Sequence, residues 1–181
     1  MRIISGLWRG KKLQSPEGKT IRPTSDKSRQ ALFNMLESKT PLAGKTVLDV
    51  FCGTGALGLE ALSRGAEHAF FNDTDVRLTK TNIQALGAQK QTTLLQKQAS
   101  KLTPADVATV DILFMDPPYA QNLVPETLKN LLPHLKADVF LAIETEKTFA
   151  ADMLPFLAPT TPLKLLAQKT HGVAQILLLK T

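Results

Sequence analysis

The 181-residue sequence has the composition of one globular domain, with 43% hydrophobic and 21% charged residues. Apolar runs such as VFLAI (139–143) are far shorter than the roughly 20 residues of a membrane helix, which argues against a membrane-spanning protein. The first residues lack the apolar stretch of a secretory signal, and the single cysteine, Cys52, cannot form an internal disulfide. A cytoplasmic location is therefore expected.

The net charge of +6 is concentrated at the N-terminal end of the chain. Residues 1–45 contain ten Lys or Arg against three Asp or Glu, whereas the remaining residues contain 12 against 13. Such an uneven distribution favours contact between the N-terminal segment and a polyanion such as nucleic acid. A solvated basic face without a partner is the alternative.

The first 40 residues predict an extension that precedes the main domain. RIISGLWRGKKL is typical of a β-hairpin with glycines near its turn. RPTSDKSRQALFNMLE begins with turn and cap residues and continues as an amphipathic helix with Leu32, Met35 and Leu36 on one face. We therefore expect a basic extension over residues 1–40 and one α/β domain over residues 41–181.

Short apolar runs alternate with amphipathic segments through the rest of the chain. Strands are predicted at 45–51, 69–73, 92–96, 110–116 and 138–144, and helices at 56–65, 75–86 and 123–135, the last ended or kinked by Pro133. This βαβ alternation predicts a mostly parallel, doubly wound sheet with helices on both faces. Two further runs, about 163–168 and 173–180, predict an antiparallel hairpin at the sheet edge.

A glycine-rich loop follows the first predicted strand and opens a helix. Gly53, Gly55 and Gly58 have the G-x-G-x-x-G spacing, which lets the chain turn tightly and a ligand approach the backbone. Asp73 lies 20 residues beyond Gly53, at the end of the second strand, where a carboxylate can bind ribose hydroxyls. The pattern favours a nucleoside ligand, with a purely structural turn as the alternative.

Asp49 helps to separate two such ligands, NAD and S-adenosylmethionine. A carboxylate four residues before the first glycine is badly placed for a pyrophosphate and well placed for the cationic amino group of a methionine moiety. A structural role for Asp49, such as capping the following helix, is the alternative.

The tetrapeptide DPPY, Asp116 to Tyr119, ends the fourth predicted strand. Two prolines cannot continue a sheet, because they lack the backbone N–H and fix φ. They hold the backbone stiff, so that the Asp116 carboxylate and a carbonyl oxygen can face an amino group while Tyr119 offers a flat surface to a base. The motif is expected at the carboxyl edge of the sheet, beside the glycine loop, where open α/β sheets bind ligands.

These motifs resemble those of a known family. DPPY is similar to the motif of class I methyltransferases, Rossmann-like enzymes that use S-adenosylmethionine to modify exocyclic amino groups of nucleobases. MRIISGLWRGKKL, RPTSDKSRQALFNML, VLDVFCGTGALGLEALSRGA and DPPY, in this order, resemble the bacterial enzymes that methylate guanine N2 in small-subunit (16S) ribosomal RNA. The resemblance covers nearly the whole chain. It implies S-adenosylmethionine as the cofactor, 16S ribosomal RNA or the small ribosomal subunit as the partner, and a monomer without metal or membrane.

The resemblance also assigns roles to individual residues. It implies cofactor contacts at Asp49, Phe51, Gly53, Gly55, Asp73, Gln98 and Ala99, and a catalytic motif of Asp116, Pro117, Pro118 and Tyr119. Asp73 stands where the family usually has Glu, Gln30 replaces another usual Glu, and the helix after Asp75 departs from the family's pattern.

The implied reaction needs help from the protein, because the lone pair of guanine N2 is delocalised into the ring. We expect Asp116 and the Pro117 carbonyl to hold the N2–H bonds, and Asp116 to receive the proton directly or through water. Trp8 is expected either to pack within the hairpin or to stack on a base. RNA contacts are expected at the basic residues Arg2, Arg9, Lys11, Lys12 and Arg22.

Three alternative functions remain open from the sequence. DPPY also serves DNA or RNA adenine-N6 methyltransferases, although the DNA enzymes usually carry a further target-recognition domain. An NAD-dependent oxidoreductase would use the glycine loop but leave DPPY unexplained. A non-catalytic RNA-binding assembly factor would bind without turnover. The scattered His68, His134 and His171 lack metal-ligand spacing, and Cys52 is interpreted as a small packing residue.

Overall fold

The computed structural model describes residues 1–16, 26–118, 123–147, 149 and 162–181. The described strands are β1 (Thr46–Asp49), β2 (His68–Asn72), β3 (Thr92–Leu95), β4 (Ile112–Met115), β5 (Phe140–Glu146), β6 (Lys164–His171) and β7 (Ala174–Lys180). The described helices are α1 (Asp26–Glu37), α2 (Ala56–Ser63), α3 (Arg77–Leu86), α4 (Pro104–Val107) and α5 (Leu123–Leu131).

The described strands form one sheet in the order β3-β2-β1-β4-β5-β7-β6. β1 to β5 run parallel to one another, whereas β7 runs antiparallel to both β5 and β6. The predicted α/β class and the C-terminal hairpin are therefore confirmed. The chain order reverses between β1 and β4, and the carboxyl ends of these two strands flank the topological switch point, where such sheets bind ligands.

Helices cover both faces of the sheet, so the central strands are largely buried on both sides. Every residue of β4 is buried. Val47 belongs to the apolar cluster beneath α1, α2 and α3, and the next residue, Leu48, belongs to the cluster beneath α4 and α5. This alternation is the doubly wound arrangement that the sequence predicts.

The helix predicted at 123–135 ends earlier than expected. Its α-helical part stops at Leu131 and a 3-10 turn, Leu132–His134, follows around Pro133. The missing N–H of Pro133 explains this end, and the sequence predicts that Pro133 ends or kinks the helix. Among the described residues, no helix combines the length and apolar content needed to cross a bilayer.

The N-terminal loop, residues 1–16, is less regular than the predicted hairpin. It is closed by one antiparallel bridge, Arg2 with Lys12, rather than by two strands. The Ile3 N–H donates to the Lys11 carbonyl at 2.9 Å. Ile3 and Leu13 are buried in the same cluster as Val47, so the loop and the sheet share a core. A domain boundary near residue 40 stays a prediction.

Candidate active site at the carboxyl edge of the sheet

The glycine loop leads from the end of β1 into α2. Gly53 and Gly55 have φ values of 51° and 78°, in the left-handed region that favours glycine. Gly58 packs α2 against β2, because a Cβ added there would lie 2.3 Å from Cε1 of Phe71. The first two glycines thus form the turn, and the third allows helix and strand to approach closely.

Asp49 ends β1 beneath this loop and is 1% exposed. Its Oδ2 accepts the Gly58 N–H at 3.0 Å, whereas Oδ1 has no hydrogen-bond partner among the described residues. Burial, and then the charges of Asp116 and Asp73, raise the pKa of Asp49 to about 7 against the opposing effect of the Gly58 hydrogen bond. Asp49 therefore contacts the following helix, as the structural alternative predicts, and still presents one oxygen to a donor.

Asp73 follows β2 and holds the glycine loop from the neighbouring strand. Its Oδ2 accepts the Gly53 N–H at 2.9 Å. The residue is half-buried. Since β1 and β2 are adjacent and parallel, Asp49 and Asp73 stand at the same edge of the sheet.

Asp116 directly follows β4 and is half-buried. β4 pairs with β1, so this carboxylate reaches the edge where Asp49 lies, close enough for its charge to raise the pKa of Asp49. Pro117 is buried and Pro118 is exposed. Tyr119 lies outside the described residues. The structure thus brings together three acids that are 24 to 67 positions apart in the sequence.

Gln98 and Ala99 follow β3, beyond β2. Gln98 is exposed and precedes a 3-10 turn, Ala99–Lys101. Ala99 and Phe51 are both half-buried and pack against the cluster beneath α4 and α5. These two residues therefore lie on the same face of the sheet, opposite the face that α2 covers.

The predicted RNA-binding residues Arg2, Arg9, Lys11 and Lys12 are all exposed, and Arg22 lies outside the described residues. The N-terminal loop that carries them runs along α2. Its Leu7 N–H donates to the Ser63 carbonyl at 2.7 Å, at the last residue of that helix. α2 has eight residues, so the turn of the loop lies on the order of 12 Å from the glycine loop. Trp8 is half-buried against the apolar cluster, which agrees with a packing role.

Buried charges that the sequence pattern did not reveal fix the N-terminal loop to α2. Glu60 is fully buried, accepts the Ile4 and Ser5 N–H groups at 2.7 and 3.0 Å, and pairs with Arg64 at 2.8 Å. The fully buried Arg29 of α1 lies 3.7 Å from Glu60 and donates to the Arg2 carbonyl. Charged side chains are rarely buried unless they are paired, and no local sequence pattern indicates this pairing.

The sequence also did not indicate a role for two polar residues on the buried face of α3, Thr79 and Asn82. The Thr79 hydroxyl donates to the Gly53 carbonyl at 2.8 Å. The Asn82 amide donates to the carbonyls of Thr54 at 2.9 Å and Gln14 at 3.1 Å, and its oxygen accepts the Gln14 N–H at 2.7 Å. Their only sequence signal is a spacing of three residues, which places them on one helix face.

Metal-binding groups of three or more His, Cys, Asp or Glu are absent from the described part of the chain. Cys52 is buried, with its Sγ 3.2 Å from the Thr79 hydroxyl, and burial raises the pKa of its thiol. A thiol held protonated is a poor nucleophile, and Cys52 lies in the apolar cluster beneath α1, α2 and α3, which agrees with a packing role.

Comparisons with known proteins agree with this geometry. A solved methyltransferase structure from Escherichia coli superposes with a TM-score of 0.79 at 30% identity, covering 99% of this chain and 97% of that chain. A solved methylase structure from Haemophilus influenzae gives 0.77 at 31% identity, with the same coverage of both chains. The Haemophilus influenzae protein named ribosomal RNA small subunit methyltransferase D is 34% identical over 181 residues, which cover 96% of this chain and 90% of the relative.

The fold and the carboxyl-edge site define a Rossmann-like class I methyltransferase. A family model described as conserved hypothetical protein 95 matches residues 1–179. The Escherichia coli K12 protein that is also named ribosomal RNA small subunit methyltransferase D is 36% identical over 151 residues, which cover 81% of this chain and 75% of the relative. The chain belongs to this ribosomal RNA small subunit methyltransferase D family, and the resemblance seen in its motifs is confirmed.

Proposed function

We propose that the protein transfers a methyl group from S-adenosylmethionine to the exocyclic N2 amino group of a guanine in 16S ribosomal RNA. The observation that carries this proposal is the meeting of Asp49, Asp73 and Asp116 at the topological switch point. Relatives named small subunit ribosomal RNA methyltransferases support the RNA substrate. The choice of guanine N2 rests on the resemblance of DPPY and the N-terminal motifs to the family that modifies this atom.

The residues at the switch point fit the methionine part of S-adenosylmethionine. A buried carboxylate oxygen that lacks a partner among the described residues, as Asp49 Oδ1 does, is costly until a donor meets it. A cationic amino group satisfies that oxygen and offsets the penalty on the ionised carboxylate. A pyrophosphate would instead face three carboxylates and be repelled, which disfavours the NAD alternative.

The glycine loop and its neighbours suit the nucleoside part. Nothing lies within 4 Å of a Cβ built on Gly53, so the backbone there is open to close approach. Asp73 is aligned with the loop by the Gly53 N–H and is the proposed acceptor for the ribose hydroxyls. Phe51, Gln98 and Ala99 are the proposed neighbours of the adenine, and Gly55 completes the turn.

Asp116 is the proposed catalytic acceptor. When bound, S-adenosylmethionine supplies the sulfonium methyl group, and the protein must prepare a weakly nucleophilic amine. The Asp116 carboxylate and the Pro117 carbonyl accept the N2–H bonds, which orients the nitrogen lone pair. As N2 gains the methyl group it loses one proton, which Asp116 receives directly or through water. Pro118 keeps the motif stiff, and Tyr119 provides a ring on which a flipped base stacks.

The exposed basic residues of the N-terminal loop are the proposed grip on the RNA. A target base must leave its stack to reach Asp116, and single-stranded loops make that least costly. Contacts with phosphates orient the RNA without reading its sequence. Because the loop runs along α2, phosphates bound near its turn lie on the order of one helix length from the glycine loop. The proposed contacts are Arg2, Arg9, Lys11, Lys12 and Arg22.

The test uses labelled S-adenosylmethionine and three acceptors: small ribosomal subunits from cells lacking this gene, their naked RNA, and duplex DNA. The products are digested to nucleosides. We expect label in N2-methylguanosine from an RNA acceptor, and the comparison of the two RNA acceptors shows whether assembly is required. An Asp116→Asn variant, which keeps the side-chain shape and loses the charge, is the matched control and should give no label.

Two outcomes would contradict the proposal. Label in methyladenine would favour the adenine-N6 alternative. Absence of label from every acceptor, despite measurable binding of S-adenosylmethionine, would favour a non-catalytic assembly factor.

A further inference from the structure

A single side chain on α3 joins the N-terminal loop to the glycine loop. Asn82 is fully buried, and its amide makes three hydrogen bonds to backbone atoms. Two of these bonds hold the N–H and carbonyl of Gln14 at 2.7 and 3.1 Å, and the third holds the Thr54 carbonyl at 2.9 Å. Gln14 belongs to the N-terminal loop, and Thr54 lies between the two glycines that form the turn of the glycine loop.

The chemistry of the amide makes this junction stiff. Asn offers two N–H donors and one carbonyl acceptor, and at Asn82 the amide nitrogen and oxygen are both engaged. Breaking one bond would leave a buried polar group unpaired, which is costly in the protein interior. A shift of Gln14 is therefore opposed by the position of Thr54, and a shift of Thr54 by that of Gln14.

Among the described contacts, one other link joins the N-terminal loop to the glycine loop: the Thr54 hydroxyl donates to Met1 Sδ at 3.6 Å, a weak acceptor, and engages no backbone group. Glu60 holds Ile4 and Ser5 from the middle of α2, and Ser63 holds Leu7 at its end. These anchors fix the loop to a rigid helix, whereas Asn82 ties it to the segment that surrounds the proposed cofactor site.

We infer that Asn82 is a positioning residue that couples RNA contact at the N-terminal loop to cofactor binding at the glycine loop. The inference rests on the proposed function, because it takes both ligands from there. RNA that holds the exposed basic residues restrains Gln14, and Asn82 transmits this restraint to Thr54. Coupling between two binding sites is reciprocal, so bound cofactor also tightens the grip on RNA.

The test measures the affinity for labelled S-adenosylhomocysteine by equilibrium dialysis, with and without saturating small ribosomal subunits from cells lacking this gene. For the wild-type protein we expect subunits to tighten binding at least about fivefold, the lower end of the usual range of coupling between sites. In Asn82→Ala the ratio of the two affinities should fall to about one.

Thr79→Val is the matched control. Thr79 supports the same glycine loop through the Gly53 carbonyl, from the same face of α3, without any bond to the N-terminal loop among the described contacts. We expect this variant to bind S-adenosylhomocysteine more weakly and to keep the wild-type ratio. If Asn82 had a purely structural role, Asn82→Ala and Thr79→Val would both bind S-adenosylhomocysteine more weakly, and both would keep the wild-type ratio of affinities.

A second pair of variants approaches the junction from the exposed Gln14, which protects the test against misfolding of Asn82→Ala. Gln14→Pro removes the N–H that Asn82 accepts, and Gln14→Ala keeps it. We expect the affinity ratio to fall in the proline variant and to persist in the alanine variant. Gln14→Ala should melt near the wild-type temperature, whereas Gln14→Pro leaves the buried Asn82 oxygen unpaired and should melt a few degrees lower while staying folded at the assay temperature.

These measurements distinguish failure of the proposed function from failure of the coupling through Asn82. If the wild-type protein binds neither S-adenosylhomocysteine nor subunits, the proposed function fails. If it binds both but subunits do not change the affinity, or if Asn82→Ala and Gln14→Pro keep the wild-type ratio, the coupling through Asn82 is refuted and the proposed function stands.

Discussion

Replacing Asp49 by Asn tests whether its buried carboxylate is held for a cation. Burial raises its pKa from 3.8 to about 7, which corresponds to about 4 kcal/mol against the charged form. Because the folded-state pKa is raised, the folded protein binds more protons than the unfolded chain between these two pH values. Its stability should fall as the pH rises through this window, and the loss is complete above pH 7. Asp49→Asn removes this loss, so the variant should gain stability relative to wild type at pH 8, by up to about 4 kcal/mol.

The same pKa predicts how cofactor binding depends on pH. Near pH 6 a carboxyl with a pKa of about 7 is roughly 90% protonated. A cationic amino group favours the ionised form, so binding must release the proton from Asp49. The affinity of the wild-type protein should therefore rise about fivefold from pH 6 to pH 7 and about tenfold from pH 6 to pH 8, where it levels off. In Asp49→Asn, which cannot ionise, the affinity should be lower and flat across this range.

Calorimetric titration with S-adenosylhomocysteine measures this release directly. Titrations at pH 6 and pH 8, each in two buffers of different ionisation enthalpy, give the number of protons exchanged, and urea denaturation gives the stability. Asp73→Asn is the matched control: it removes a neighbouring carboxylate at the same edge and should weaken binding. It should keep most of the proton release at pH 6, because burial, and not the Asp73 charge, is the largest cause of the raised pKa of Asp49. Absence of proton release from the wild-type protein, or an unchanged release from Asp49→Asn, would refute the reasoning.

Three further predictions follow from the site and its supports. Asp116→Ala should abolish single-turnover methyl transfer while equilibrium dialysis shows nearly normal binding of S-adenosylhomocysteine, because the residue acts on the amine. Charge reversal at Lys11 and Lys12 should weaken RNA binding and reduce the slope of log affinity against log salt by about one for each lost phosphate contact, measured by filter binding. Gly58→Ala should cost about 1–3 kcal/mol in urea denaturation, because the added Cβ would lie 2.3 Å from the buried Phe71 ring.

Each of these predictions has a control within the chain. Retained turnover in Asp116→Ala would show that a group other than Asp116 accepts the proton. Charge reversal at the exposed Lys90 and Lys164, outside the N-terminal loop, should leave the salt slope unchanged, and an equal effect there would refute a localised grip. Phe71→Leu should make Gly58→Ala less costly, and an unchanged denaturation midpoint in Gly58→Ala alone would contradict the close packing of α2 on β2.

The sheet and its acidic edge could be predicted because their signals are local. Strands buried on both faces appear as short apolar runs, and β4 is the clearest case. Once the strands are parallel, the residue at the end of each run must lie at the same edge. This rule alone brings Asp49, Asp73 and Asp116 together, without any knowledge of side-chain contacts.

The attachment of the N-terminal loop could not be predicted, because its partners are backbone groups and buried charges far apart in sequence. Asn82 acts on Gln14 and Thr54 through their peptide groups, which every residue type provides. Arg29 stands within the amphipathic helix α1, and Glu60 is the one charged residue of α2, whose residues are all buried; in both, a charged residue normally indicates an exposed position. Their burial depends on a tertiary pairing that no periodicity reports.

Gly6, in the motif RIISGLWRG, has a structural role in this attachment that the sequence alone does not show. The sequence predicts that Gly6 lies near the turn of a hairpin, and its φ of 80° agrees with this prediction. The tighter constraint is the contact with α2, since a Cβ at this position would lie 1.7 Å from the Ser63 carbonyl oxygen, which also accepts the Leu7 N–H. Any side chain would clash with this carbonyl and push the loop off the helix. Gly6 thus keeps the N-terminal loop packed against α2.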